Sequence, residues 1–185
     1  MHSTTFNETG IGTAERLRVF VLYVDNPAAA HSNWLRDQLG CMAENGLDFS
    51  FEAWNLSSVA GHCPITETIA REAAESDVLV IATTALDQRE PELIQWLNLL
   101  APNNGDREGP GLLIGLFGDE KDQAAELDWM VGELVAFSRR RQMGFVWQWM
   151  EREALCDNSW LAASLEESCA RRPSVINYQL ANSTW

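Results

Sequence analysis

The residues best suited to chemistry are a thiol and an imidazole in the run Gly61-His62-Cys63-Pro64. A cysteine at the first turn of a helix, beside a histidine, sits where the helix dipole and a neighbouring cation lower its pKa and favour the thiolate. Cys63 is therefore the sharpest nucleophile candidate. The plainer reading is a small residue that closes a loop and opens a helix, and it is the preferred one. His2, His31 and His62 lie in separate polar segments without metal-ligand spacing, so no metal site is expected. No Ser nucleophile elbow, GxGxxG or GxxxxGK[ST] run is present.

Composition narrows the partners. The formal charge is -14, from 13 Lys plus Arg against 27 Asp plus Glu, a field that repels nucleic-acid backbones and anionic lipid surfaces. The basic clusters Arg139–Arg141 and Arg171–Arg172 fall where helices should end, where cations complement the dipole. The first 16 residues, polar and without periodicity, contain no apolar core of a signal peptide, and no run is long enough to span a bilayer. Cys41, Cys63, Cys156 and Cys169 form no CxxC pair and no disulfide scaffold, which fits a reducing cytoplasm. The expectation is a cytoplasmic protein with neither nucleic acid nor membrane as a partner.

The elements that would position any site follow from hydrophobic periodicity. Arg18–Val24, Val78–Ala82 and Leu112–Phe117 are continuous apolar runs, the mark of strands covered on both faces. Leu47–Trp54 alternates instead, with Leu47, Phe49, Phe51 and Ala53 against Asp48, Ser50 and Glu52, as a half-exposed edge strand does. Phe145–Trp149 supplies a fifth strand. Between them lie helical stretches: one to about Asn45 with Leu35, Leu39 and Met42 inward, one from Pro64 with Ile65, Ile69 and Ala73 inward, and one opened by Pro91 and ended by Pro102. A fourth runs over 122–141 with Leu127, Met130, Val131 and Leu134 inward, and a last one leads to Pro173.

Strict βα alternation predicts a doubly wound five-stranded parallel sheet in the flavodoxin-like order 2-1-3-4-5, helices on both faces, with the alternating second strand at an edge. The predicted organisation is a tail over 1–16, one domain over 17–173, and an extension over 174–185. In such sheets ligands bind beyond the carboxyl ends of the strands at the switch point, here between strands one and three. The candidate small-molecule site is therefore Asn26, Ser32 and Asn33 after strand one, Thr83, Thr84, Ala85 and Leu86 after strand three, and Gly118 and Asp119 after strand four.

The phrase SDVLVIATTALDQREPELIQWLNLL resembles the third strand, loop and helix of flavodoxin-like NAD(P)H-dependent FMN reductases, and LLIGLFGDEKD is similar to the fourth flavodoxin strand with its Gly-Asp pair, here Gly118 and Asp119. Together they cover under half the chain. The resemblance implies FMN as cofactor and, if the chain is an enzyme, a flavin-dependent NAD(P)H oxidoreductase. The sequence departs from the family after strand one. The family's phosphate loop is rich in Ser and Thr and contains Gly, whereas this chain has Asp25-Asn-Pro-Ala-Ala-Ala-His-Ser-Asn33, with no glycine and an opening carboxylate that repels phosphate. Ser32 and Asn33 remain as donors there, with His31 adding charge if protonated. The loop over 84–90 also lacks an aromatic residue and a glycine.

Two neighbouring chemistries fail on single positions. Receiver domains share the topology but need an Asp ending strand three and a Lys ending strand five, where this chain has Thr83-Thr84 and Trp149-Met150. The low-molecular-weight phosphatase pattern needs an Arg six positions after its Cys, and position 69 is Ile69. Two function classes stand: an FMN-binding relative of the reductases, and a non-catalytic interaction module that kept the fold and lost the cofactor site. Beyond Pro173, Val175, Ile176, Tyr178, Leu180 and Trp185 are too apolar for a solvated tail, so the extension is expected to pack on its own domain or on a second subunit of a homodimer, with Trp147 and Trp149 at the sheet edge.

Overall fold

The computed structural model describes residues 16–43, 48–60, 64–84, 90–100, 111–118, 124–150, 161 and 163–165. Residues 1–15 of the tail expected over 1–16 and the extension over 174–185 lie outside these, as do His62 and Cys63, while Arg16 is described. Strands β1 (Leu17–Tyr23), β2 (Phe49–Asn55), β3 (Val78–Thr83), β4 (Leu112–Phe117) and β5 (Gly144–Trp149) alternate with helices α1 (Ala28–Ala43), α2 (Leu56–Val59), α3 (Pro64–Glu75), α4 (Glu90–Leu99) and α5 (Ala124–Arg141). The strands form one sheet in the order β2-β1-β3-β4-β5, every neighbouring pair parallel. This is the flavodoxin-like arrangement that the alternation of apolar runs and helical stretches predicts.

The pleat divides the core in two. Phe20 and Leu22 of β1, Leu79 and Ile81 of β3, and Leu113 and Phe117 of β4 turn to one face, where α3, α4 and α5 cover them with Ile69, Trp96 and Leu134. Val19, Val21, Val80, Ile114 and Val146 turn to the other, beneath Leu35 and Leu39 of α1 and Leu161 and Leu165 of the C-terminal helical residues. All six residues of β3 and of β4 are buried, as continuous apolar runs require, while β2 has Glu52 and Ala53 exposed and only partly buries Phe49 and Phe51.

Ala53, which the sequence alternation sets with Phe49 and Phe51, is exposed instead, and two further details differ from the sequence pattern. In α3 the buried stripe is Thr66, Ile69, Ala70 and Ala73, and Ile65 is 51% exposed. The i, i+3, i+4, i+7 spacing selects Thr66 as the first member of that stripe and turns Ile65 about 100° away. The second is α2, which no periodicity announces: Asn55 ends β2, and its side chain accepts the Ser57 N–H at 2.8 Å to open a single helical turn.

One side chain joins three helix ends on the first face. The Arg141 guanidinium at the end of α5 donates to the carbonyl of Leu100, just past α4, and at 3.0 Å to that of Ala74 in the last turn of α3. C-terminal carbonyls lack intrahelical partners, so a fork-shaped cation suits them. Among the described residues no helix is long and apolar enough to cross a membrane.

Candidate functional site

The carboxyl ends of β1, β3 and β4 meet at one end of the sheet, and a single carboxylate ties the loops after β1 and β3. After Tyr23 the chain stays beside β3 for one more residue, Val24 N–H donating to Ala82 O at 2.9 Å. It then turns, Ala29 N–H bonding Asn26 O and Ala30 N–H bonding Pro27 O, to open α1. The Asp25 carboxylate accepts from the Ala28 N–H at the helix start through Oδ1 at 2.8 Å, the position of a capping group. The same carboxylate reaches across to the end of β3. Thr84 N–H donates to Oδ2 at 2.7 Å, the Thr84 hydroxyl to Oδ1 at 2.8 Å and the Thr83 hydroxyl to Oδ2 at 3.1 Å.

The third loop is tied to the second. Gly118 N–H donates to Thr83 O at 2.8 Å, continuing the β3–β4 ladder past β4. A Cβ built on Gly118 would lie 2.9 Å from both Cα and Cβ of Thr84, closer than real Cβ contacts come, so only glycine lets these loops touch without a shift. Asp25, Thr84 and Gly118 are thus a continuous set of contacts from α1 to the end of β4.

Charge at this end is set by the same group. Burial alone would raise the Asp25 pKa, but the hydrogen bonds from the Thr84 and Ala28 backbone and from the Thr84 and Thr83 hydroxyls outweigh it and hold the carboxyl below its usual 3.8. His31, one turn into α1, is pushed below its usual 6.5 by burial, against the opposing pull of the Asp25 charge. Its Nδ1 is buried without a hydrogen-bond partner among the described residues. The neutral imidazole is thereby favoured, so the cation that protonated His31 would have offered a phosphate is disfavoured.

The residues singled out for a ligand are placed as follows. Asn26 and Asn33 are exposed, the first at the turn into α1 and the second on its outer side. Ser32 is 3% exposed and belongs to the inward stripe of α1 with Ala28, Leu35 and Leu39, so Ser32 and Asn33 face in different directions. Thr83 is buried, Thr84 half-buried and Gly118 buried, all at the carboxyl ends of β3 and β4. Ala85, Leu86 and Asp119 lie outside the described residues. Among the described residues there is no group of three or more His, Cys, Asp or Glu side chains that could hold a metal ion.

Sequence pattern pointed to the loops but missed what Asp25 does in them. An Asp three residues before a helical N–H is a local capping signal, and it was available. Its link to Thr84, 59 positions away, has no local signal and comes only from the parallel pairing of β1 with β3.

No protein-family model matches the chain, and no curated protein matches it. The fold and the geometry of its loops carry the functional reading.

Proposed function

We propose that this chain is a flavodoxin-like interaction module in which Asp25 has taken over the anion position of the switch-point mouth. The observation that carries the reading is that one carboxylate accepts both the N–H at the start of α1 and the N–H of Thr84. A phosphate at a helix N-terminus binds through such donors. Here they are already engaged, and by a group of the same charge. Two unit charges about 4 Å apart near a protein surface repel by about 4 kcal/mol, equivalent to roughly a thousandfold in affinity. A lowered Asp25 pKa keeps that charge in place at neutral pH.

The second reading is an FMN-binding relative of the NAD(P)H-dependent reductases, with the ring near Thr84 and Gly118 and the phosphate outside Asp25, towards Asn26 and Asn33. The convergence of three loops at the carboxyl ends of β1, β3 and β4, where this sheet type takes its ligands, favours it.

The visible spectrum of the purified protein and its Tm with added FMN separate the two. The interaction-module reading expects a colourless protein whose Tm is unchanged by FMN, and a yellow protein, or a Tm that climbs with FMN concentration, favours the flavoprotein. Riboflavin run in parallel reports what the phosphate contributes.

A further inference from the structure

β5 is the last strand of the described sheet. In a parallel ladder a residue directs its N–H and C=O to the same neighbour, and successive residues alternate between sides. Gly144 N–H donates to Gly111 O and Met150 N–H to Phe117 O, so the even-numbered residues of β5 face β4. Phe145, Trp147 and Trp149 therefore direct their backbone groups away from the sheet, and among the described residues no strand lies beyond β5. Their side chains share the face covered by α5. Trp147 and Trp149 are only partly buried there. They stand edge to face with centroids 6.0 Å apart, and both lean on Phe117, at 6.1 and 6.4 Å.

An edge that combines three outward amides with two half-exposed tryptophans is one that proteins normally cover. Of the segments outside the described residues, 176–180 has the matching pattern: Ile176, Tyr178 and Leu180 alternate with Asn177 and Gln179, the period of a strand with one apolar face. The other segments are polar or too short: 1–15, 101–110 and 151–160 show no such alternation. The segment is also within reach. Leu165 belongs to the core on the opposite face, which includes Val146 and Met150 from β5 and its end, and the eleven residues from there to Ile176 extend to at most about 36–40 Å, enough to round a sheet edge.

We infer that residues 176–180 add to the free edge of β5 in the same molecule as a sixth strand, with Ile176, Tyr178 and Leu180 on the side of Trp147 and Trp149. The pairing satisfies the outward groups of Phe145, Trp147 and Trp149, and the apolar side chains cover the tryptophan rings.

Amide hydrogen exchange on the full chain, followed residue by residue by NMR, tests this. Protection is expected at Phe145, Trp147 and Trp149, independent of protein concentration. In a chain ending at residue 173 these three amides should exchange roughly tenfold faster or more, while Val146 and Gln148, which face β4, keep their rates. Tyr178→Pro and Gln179→Pro guard against a truncated chain that does not fold. One of these adjacent positions must direct its N–H at β5, so one of the two substitutions should reproduce the loss. Unprotected odd-numbered amides in the full chain, or protection that survives both proline substitutions, overturn the proposal. Protection that grows with protein concentration overturns it as well, since a second copy would then be the occupant.

Discussion

Asp25 ties the loop after β1 to the loop after β3, so its removal should be felt at both. Asp25→Ala leaves the Ala28 and Thr84 N–H groups without their acceptor, and a buried donor left unmatched costs about 1–3 kcal/mol. Urea unfolding should show that loss with little change in the slope. The pH dependence has a definite sign. With its folded pKa below 3.8, Asp25 contributes stability that is fully present above that value and lost as the pH falls through the folded pKa. His31, also depressed, adds a second decline that begins as the pH drops below 6.5. In that range the unfolded chain binds a proton that the folded chain does not. Asp25→Asn removes the charge that raises the His31 pKa, so NMR titration should find His31 titrating lower still in this variant. An unchanged or higher value would mean that Asp25 does not act on it.

At the scale of elements, β3 and β4 were legible because two covered faces leave no room for polar residues, and β2 because an exposed face does. What escaped were features set by a few atoms. The α2 turn has four residues, too few for a period to register, and in α3, where Ile69 and Ala73 do face inward, Ile65 was taken in place of Thr66 because a buried threonine does not look like a core residue. The Arg141 link was hidden for another reason: a basic cluster at a helix end is explained locally by the dipole, while its actual acceptors lie 41 and 67 positions away. Arg141→Ala should therefore cost more than a surface cation does, about 1.5–3 kcal/mol for hydrogen bonds to a charged donor, whereas Arg139→Ala or Arg140→Ala, at exposed positions, should fall within about 0.5 kcal/mol. Thermal unfolding of the three variants under one condition makes the comparison. Equal effects would show that the helix dipole, not the two carbonyls, is what Arg141 serves. Gly118→Ala belongs to the same scale. Its new methyl would press on the Thr84 backbone, and overpacking of this kind costs about 1–3 kcal/mol.

For the whole molecule, fold was far more legible than function. Alternation of elements follows from residue type along the chain, whereas a binding site depends on which loops meet and what their side chains do on arrival. Ser32 and Asn33 read in sequence as a donor pair at a helix start. The helix turns one into the core and the other to solvent. Asp25 read as a deterrent to phosphate, and in the structure it is also the acceptor for the donors a phosphate would use. Were FMN bound, ligand at a hundredfold above its Kd would stabilise the fold by about 2.7 kcal/mol, so a thermal shift is sensitive to the flavin reading across the entire domain. The most direct measurement reads the two donors themselves: the amide resonances of Ala28 and Thr84 in full-length protein as FMN is added. With Asp25 holding both N–H groups, neither resonance should move. A saturable shift of both would show phosphate taking the place of the carboxylate, and Asp25 would then not be the resident anion of the mouth.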